Sequence, residues 1–110
     1  MDKHEYIYST LSSTNYPVEY DTYTGKQKKY ITHFEILEKV EFGSDDTDEI
    51  IGHHFQVDIF SDEDPTEMKN EVIEALKNAG FSGITCQDLY EPETKTYHKA
   101  IDCYIAEYKE

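Results

Sequence analysis

Residues 53–61 (HHFQVDIFS), the acidic turn 62–64 (DED) and residues 65–80 (PTEMKNEVIEALKNAG) form the stretch that decides the fold of this chain. In the first segment, side chains alternate in character at every second position, which predicts a strand with one buried face. The face expected to be buried carries His53, Phe55, Val57 and Ile59, and the opposite face carries His54, Gln56 and Asp58. Because only a short turn follows, the next element is expected to fold back onto the sheet that contains this strand.

The second half of this stretch has the pattern of an amphipathic helix. Asp64 is expected to cap its N-terminus, Pro65 to occupy the first helical position and Glu67 to complete a capping box. Gly80 is expected to end the helix. The apolar stripe of this helix is predicted to consist of Met68, Val72, Ala75, Leu76 and Ala79.

Towards the N-terminus the pattern predicts a short helix and then two strands. Residues 2–14 have helical spacing of apolar side chains, and a strand is expected over 18–23 before a turn at Gly25. The longest strand is predicted over 29–42, where only Glu38 interrupts one apolar face. The members of that face are Tyr30, Thr32, Phe34, Ile36, Val40 and Phe42. A strand of this length outruns its neighbours, so one end is expected to project as half of an extended hairpin.

After the central helix, residues 84–90 and 97–108 alternate again and predict an antiparallel hairpin. Reflection about its turn puts Cys86 opposite or nearly opposite Cys103. We expect both cysteines to be buried, reduced and without a functional role, with a disulfide or a metal pair as alternatives.

The predicted order of elements is therefore α-β-β-β-α-β-β. Strands outnumber helices and follow one another, which favours an α+β fold with a mostly antiparallel sheet and the helices packed on one face. A chain of 110 residues is large enough for a single core, so residues 1–110 are expected to form a single domain.

The charge balance limits the possible partners. With 24 acidic and 10 basic side chains the formal charge is -14, and such a surface repels the phosphates of nucleic acids. No apolar run approaches the length of a membrane span, so a cytoplasmic protein without membrane attachment is expected. The ten tyrosines suit half-buried sheet faces and contacts between subunits.

The candidates for a metal or catalytic site are the histidines and the acidic loop 43–49. His53, His54 and Asp58 are the best candidates for a metal or acid-base site, but neighbouring strand residues point to opposite faces, so ordinary sheet residues are expected instead. The loop has four acids in seven residues but lacks the spacing of a calcium loop. We therefore expect no catalytic residues, no cofactor and no metal, and not an enzyme.

The order and spacing of several landmarks resemble the small tail-completion, or head-to-tail joining, proteins of long-tailed bacteriophages and prophages. These landmarks are a short helix ending at Leu11, the segment YPVEY at 16–20, an acidic loop, the segment FQVDIFSD at 55–62, a helix ending in AGF at 79–81, and a tyrosine-rich final hairpin. Together they span nearly the whole chain.

The resemblance implies a non-enzymatic structural protein that assembles as a ring, commonly a hexamer, between the head connector and the tail tube. Its partners would be further copies of itself, a head-connector or head-completion protein and the tail-tube protein. It would be found in the bacterial host cytoplasm during assembly and then in the virion, and it would be a monomer or weak oligomer when free. The mobile acidic loop is the expected assembly interface, through Ser44, Asp45, Asp46, Asp48 and Glu49.

A second hypothesis is a DNA mimic or another inhibitory binding protein of phage origin, because carboxylates can imitate phosphates. Against it, the acidic residues are interleaved with lysines along the chain and form no long uniform run. Binding of a host nucleic-acid enzyme by the monomer would favour the mimic.

Overall fold

A computed structural model of the chain describes residues 2–42, 49–90 and 92–109. Its elements are α1 (Lys3–Ser12), β1 (Val18–Tyr20), β2 (Tyr30–Phe42), β3 (Glu49–Ser61), α2 (Thr66–Asn78), β4 (Ser82–Asp88) and β5 (Tyr97–Lys109). The predicted α+β class and the predicted order α-β-β-β-α-β-β are confirmed. Neither described helix is long and apolar enough to cross a membrane.

The five strands form one sheet in the order β1-β2-β3-β5-β4. The pairing is antiparallel except between β1 and β2, which run parallel at one edge. β1 is shorter than predicted because Asp21 adopts a left-handed φ of 65°, which takes the backbone out of the extended conformation. The central strands β2, β3 and β5 each have 13 residues, so the predicted long hairpin is present and a third strand accompanies it.

Both helices pack on one face of the sheet. The core joins α1, α2 and the helix-facing side of the strands through Ile7, Leu11, Met68, Val72, Leu76, Ile31, Phe55, Val57, Ile59 and Ile101. The predicted stripe of α2 is thus confirmed at Met68, Val72 and Leu76, which are buried. Phe55 is the largest fully buried side chain, so β3 carries the centre of the core.

The start of α2 differs by one residue from the prediction. Asp64 Oδ1 accepts hydrogen bonds from the backbone N–H of Thr66 at 3.0 Å and from its hydroxyl at 2.7 Å. Pro65 precedes the helix, and its carbonyl accepts the first helical bond from the N–H of Lys69 at 2.8 Å. Asp64 therefore satisfies an N-terminal donor as expected, with Pro65 in the capping position and Thr66 as the first helical residue.

The end of α2 is a Schellman motif. Gly80 has φ 95°, its N–H donates to the carbonyl of Lys77, and the N–H of Phe81 donates to the carbonyl of Leu76 at 3.0 Å. The buried Phe81 then leads directly into β4.

A β-bulge in β2 corrects the predicted face of that strand. Glu35 pairs with Phe55 and Leu37 pairs with His54, which leaves Ile36 as an extra residue. The bulge reverses the alternation, so the residues before it that were expected to share a face with Val40 lie on the opposite side of the sheet. In consequence Glu38 and Val40 lie on the helix side of the sheet with the buried residues of β3, whereas Tyr30, Thr32 and Phe34 lie on the opposite side.

The expectation for the cysteines is wrong in part. Cys103 is buried, but Cys86 is exposed because β4 is an edge strand and lies outside the main core. In the ladder Cys86 pairs with Ile101 and not with Cys103. The two thiols therefore have different environments.

We expect one fast and one slow thiol in the native protein. Burial, and secondarily the charge of Asp102, raise the pKa of Cys103 to about 12, which leaves almost no reactive thiolate near neutral pH. Timed alkylation followed by mass spectrometry should show one rapid addition and a second only on unfolding. Cys86→Ser should abolish the rapid addition, and two equally rapid additions in the native wild type would contradict the burial of Cys103.

Candidate assembly surface

The three central strands continue past the point at which α1 meets the sheet. His4 of α1 bonds to Glu35, and beyond that point residues 37–42, 49–54 and 104–109 pair with one another to form a three-stranded segment, here called the extension. The longest dimension of the molecule is 52 Å, against 23 Å and 22 Å for the other two. The extension therefore gives the chain an elongated shape.

Apolar side chains are exposed at the extension and at the bulge beside it. Leu37 is 51% exposed, Tyr108 is 76% exposed, and Ile36 and Val40 are also exposed. Leu37 and Tyr108 lie on the side of the sheet opposite the helices, whereas Val40 lies on the helix side. The exposed apolar side chains of the extension are thus divided between its two faces, and the face with Leu37 and Tyr108 is a candidate interaction surface.

At the base of the extension, the hydrogen bonds of a buried histidine link the three strands. The His53 side chain is 4% exposed and lies between two carboxylates, with Nδ1 2.5 Å from Glu35 Oε2 and Nε2 2.9 Å from Glu107 Oε1. Glu38 Oε1 is 3.8 Å from Nδ1, and His4 Nε2 is 2.9 Å from the second oxygen of Glu35. The cluster thus connects β2, β3, β5 and α1.

Both ring nitrogens of His53 face carboxylate oxygens, and this geometry favours the doubly protonated imidazolium. Burial alone would lower the pKa of His53, but the hydrogen bonds to Glu107 and Glu35 and their negative charges outweigh it, so the pKa is raised. The same contact with His53 lowers the pKa of Glu107. The surroundings of His53 therefore favour its protonated form, which neutralises part of the negative charge of Glu35 and Glu107.

We expect His53 to make stability depend on pH. Its raised pKa means that the stabilisation is complete below pH 6.5, its ordinary value, and is lost as the pH rises past the raised value. The pKa of Glu107 is lowered, so the stabilisation that Glu107 contributes is present above pH 4.5, its ordinary pKa. That stabilisation is lost as the pH falls through the lowered pKa. Urea unfolding should therefore show the largest difference between wild type and His53→Gln between pH 4.5 and 6.5, and a smaller one near pH 8.

His54→Gln is the matched control, since it removes a neighbouring histidine from the opposite face of the sheet. Burial and the charge of His4 lower the pKa of His33, which gives the opposite trend with pH, but His33 is present in both proteins and cancels in the difference. An identical loss of stability in His53→Gln at pH 5 and pH 8 would refute the charged state of His53.

The same cluster contains the atoms of a possible metal site. One ligand atom from each of Glu35, Glu38 and His53 lies within 4.8 Å of the others, and carboxylate and imidazole groups suit a divalent ion such as Zn²⁺. A metal would have to displace the proton of His53 Nδ1 and its bond to Glu35. In the structure the hydrogen bonds of His53 instead link β3 to Glu35 of β2 and to Glu107 of β5.

The structure separates the histidines singled out in the sequence, as expected. His54 lies on the opposite face from His53, with its ring centroid 4.9 Å from that of Tyr104. Asp58 is on that same face, where its carboxylate accepts hydrogen bonds from Gln56 at 3.0 Å and from His98 at 2.7 Å. His53, His54 and Asp58 therefore form no common site.

The partners of His53 were missed because they depend on register. The bulge brings Glu38 opposite His53, and the β3–β5 pairing brings Glu107 close to it. A histidine in phase with buried apolar residues was the available signal, because a buried imidazole needs hydrogen-bond partners.

The predicted interface loop lies mostly outside the described residues, which omit Ser44, Asp45, Asp46 and Asp48. Glu49, predicted in the loop, is instead the first residue of β3, where it pairs with Phe42 and Lys109.

Stacked aromatic rings cover part of the sheet face opposite the helices. Successive ring centroids of Tyr23, Tyr30, Phe60 and His98 are separated by 4.2, 4.7 and 4.3 Å. The stack crosses β2, β3 and β5 and shields that end of the sheet from water.

Comparison with known proteins gives a likeness in fold alone. The sequence matches no protein-family model and no curated protein. Among solved structures, a chain of the virion of a native gene transfer agent (GTA) particle is similar, with a TM-score of 0.54 and 14% sequence identity. The alignment covers 89% of this chain and 88% of that chain.

Proposed function

We propose that this chain is a non-enzymatic structural protein of a phage-like particle, which assembles as a ring at the junction between the head connector and the tail tube. The observation that supports this most is the fold likeness to a virion component, which extends over nearly the whole of both chains. The resemblance of the sequence to tail-completion proteins also supports the proposal.

A ring requires two different surfaces on each subunit, because a heterologous contact that closes joins one patch to another. The sheet has two open edges, β1 on one side and β4 on the other. All residues of β4 except Ile84 are exposed, and an exposed strand edge is a template for pairing. We propose that the β4 edge of one subunit meets the β1 side of the next.

The two ends of the sheet also differ and suit two different partners. One end is the extension, with its exposed Leu37 and Tyr108. At the other end Leu89, Tyr90 and Tyr97 are exposed, and the rings of Tyr90 and Tyr97 lie 5.1 Å apart. A junction protein needs such a pair of surfaces, one towards the head and one towards the tail.

The negative charge favours assembly on a partner over assembly in solution. Drawing subunits of charge -14 together costs self-repulsion, which salt screens beyond a Debye length of about 8 Å at physiological ionic strength. The free chain is then a monomer or weak oligomer, which prevents premature rings. The segment that carries Ser44, Asp45, Asp46, Asp48 and Glu49 is the proposed assembly contact, and its four carboxylates add to the repulsion between free chains.

The test combines sedimentation with particle assembly. Raising the salt concentration should increase self-association of the purified chain, because screening lowers the repulsion. Asp45→Asn, Asp46→Asn and Asp48→Asn, made together, should leave unfolding unchanged and increase self-association of the free chain, because they lower the repulsion. They should impair joining of heads to tails, because we propose that this loop contacts the partner. Substitution is preferred to deletion of 44–48, because the deletion would leave only Gly43 between Phe42 and Glu49. These two residues pair in the sheet, and the commonest short hairpin loops have two residues.

The matched control removes three negative charges elsewhere, by Asp62→Asn, Glu67→Gln and Glu93→Gln. All three are exposed. Equal joining by the loop variant and wild type would remove the loop from the mechanism. Tight binding of DNA at physiological salt, or of a host nucleic-acid enzyme by the monomer, would overturn the proposed function.

A further inference from the structure

Glu35, Glu38 and His53 form a compact group of candidate metal ligands at the base of the extension. One ligand atom of each residue lies within 4.8 Å of the others. Nδ1 of His53 is 2.5 Å from Glu35 Oε2 and 3.8 Å from Glu38 Oε1. In a tetrahedral zinc site with bonds of about 2.1 Å, the ligand atoms lie about 3.4 Å apart, which is between these two distances. Shifts of about 1 Å in the two carboxylates would therefore produce that geometry.

The β-bulge at Ile36 puts both carboxylates on the face of β2 that meets His53. Residues three apart on a regular strand lie on opposite faces of a sheet. Here Glu35 pairs with Phe55, which shares its face of β3 with His53. Glu38 pairs with His53 itself, so the extra residue brings together two groups that the strand period would separate. Bulges that redirect side chains in this way are frequent next to functional sites.

The groups around these residues match the usual surroundings of metal ligands. A ligating histidine usually directs its second ring nitrogen to a carboxylate, and ligating carboxylates are themselves hydrogen-bonded. Nε2 of His53 is 2.9 Å from Glu107 Oε1. The second carboxylate oxygen of Glu35 is 2.9 Å from Nε2 of His4. Glu107 and His4 thus hold His53 and Glu35 in the orientation that a metal ion would need.

The charge and the donor atoms of the cluster favour a divalent ion. Three carboxylates surround two imidazoles, so the cluster is negative even with both imidazoles protonated. An imidazole ligand suits Zn²⁺, whereas Ca²⁺ and Mg²⁺ prefer oxygen ligands alone. We propose that Glu35, Glu38 and His53 bind a Zn²⁺ ion, with water as the fourth ligand. Water can enter beside Glu38, whose side chain is 57% exposed, and the Nδ1 proton of His53 passes to solvent on binding.

A bound ion would cross-link β2 and β3 where the extension leaves the body of the domain. This inference goes beyond the proposed ring, because its ligands lie within one chain and its test uses the isolated protein. A failure of zinc binding would leave the ring proposal standing, and a failure of head-to-tail joining would leave the zinc site standing. The pH dependence of stability expected for His53 applies to the metal-free protein, measured with a chelator present.

The experiment is calorimetric titration of ZnCl₂ into the full-length chain, purified without a histidine tag and treated with a chelator. The expected result is one Zn²⁺ per chain, a higher unfolding temperature with zinc, and no displacement by excess Mg²⁺. Glu38→Gln should weaken zinc binding by about tenfold or more without unfolding the chain, because Glu38 is exposed. Glu41→Gln is the matched control, since it removes a carboxylate from the opposite face of β2. Cys86→Ser should bind zinc as the wild type does, which would exclude the exposed thiol as a ligand.

NMR of the chain labelled with ¹⁵N at histidine locates the ion. Zinc should shift the Nδ1 signal of His53 and leave the ring signals of His54, on the opposite face of the sheet, unchanged. His53→Gln, checked for folding by circular dichroism, should lose the zinc-induced rise in unfolding temperature, and His54→Gln should keep it. Absence of saturable zinc binding, equal affinity of Glu38→Gln and wild type, or a zinc-induced shift at His54 without one at His53 would overturn the inference.

Discussion

Replacing Leu76 by alanine is expected to lower the free energy of unfolding by about 2 to 5 kcal/mol. Leu76 is fully buried on the inner stripe of α2, between the helix and the sheet. The substitution removes the burial of its methyl groups and leaves a cavity that the surrounding side chains fill only in part. For a domain with a total stability of about 5 to 15 kcal/mol, such a loss is large.

Urea unfolding followed by circular dichroism measures this difference. Glu74→Ala is the matched control, because Glu74 lies two residues away on the exposed side of the same helix. Surface changes of this kind usually alter stability by less than about 0.5 kcal/mol. Equal stabilities of the two variants would mean that the buried stripe of α2 is wrongly placed.

Elements whose pattern is local could be read from the sequence. The stripe of α2 depends only on the helical period, and the alternation of Phe55, Val57 and Ile59 depends only on the strand period, so neither needs knowledge of a partner. The hydrogen bond from Thr66 to Asp64 just before α2 and the end of α2 at Gly80 are likewise set by neighbouring residues. Since each signal is confined to one element, the order of elements followed directly.

Features that depend on pairing could not be read in this way. The bulge at Ile36 is invisible in the sequence, yet it determines that Glu38 faces His53. The exposure of Cys86 depends on β4 being at the edge of the sheet, which no local pattern reveals. The contact of Glu107 with His53 depends on the pairing of β5 with β3. These non-local contacts carry the candidate sites, which is why the fold was predicted better than the sites.

Replacing Leu37 and Tyr108 together by serine is expected to abolish attachment of one partner without unfolding the chain. Both side chains are mostly exposed at the extension and share one face of the sheet, so the folded monomer loses little burial. If they anchor a partner, loss of two such residues at about 2 kcal/mol each weakens binding on the order of a thousandfold.

The reciprocal variant provides the control, because Leu89→Ser with Tyr97→Ser alters the exposed apolar residues at the other end of the sheet. Each double variant would be tested for binding to the two proposed partners, a head-connector protein and a tail-tube protein, with thermal unfolding as the check on folding. If the two ends serve two partners, each variant should lose one partner and keep the other, because residues 97 and 109 of β5 lie at opposite ends of the sheet. Loss of both partners by both variants would point to one shared contact, and retention of both would show that these exposed side chains take no part in joining.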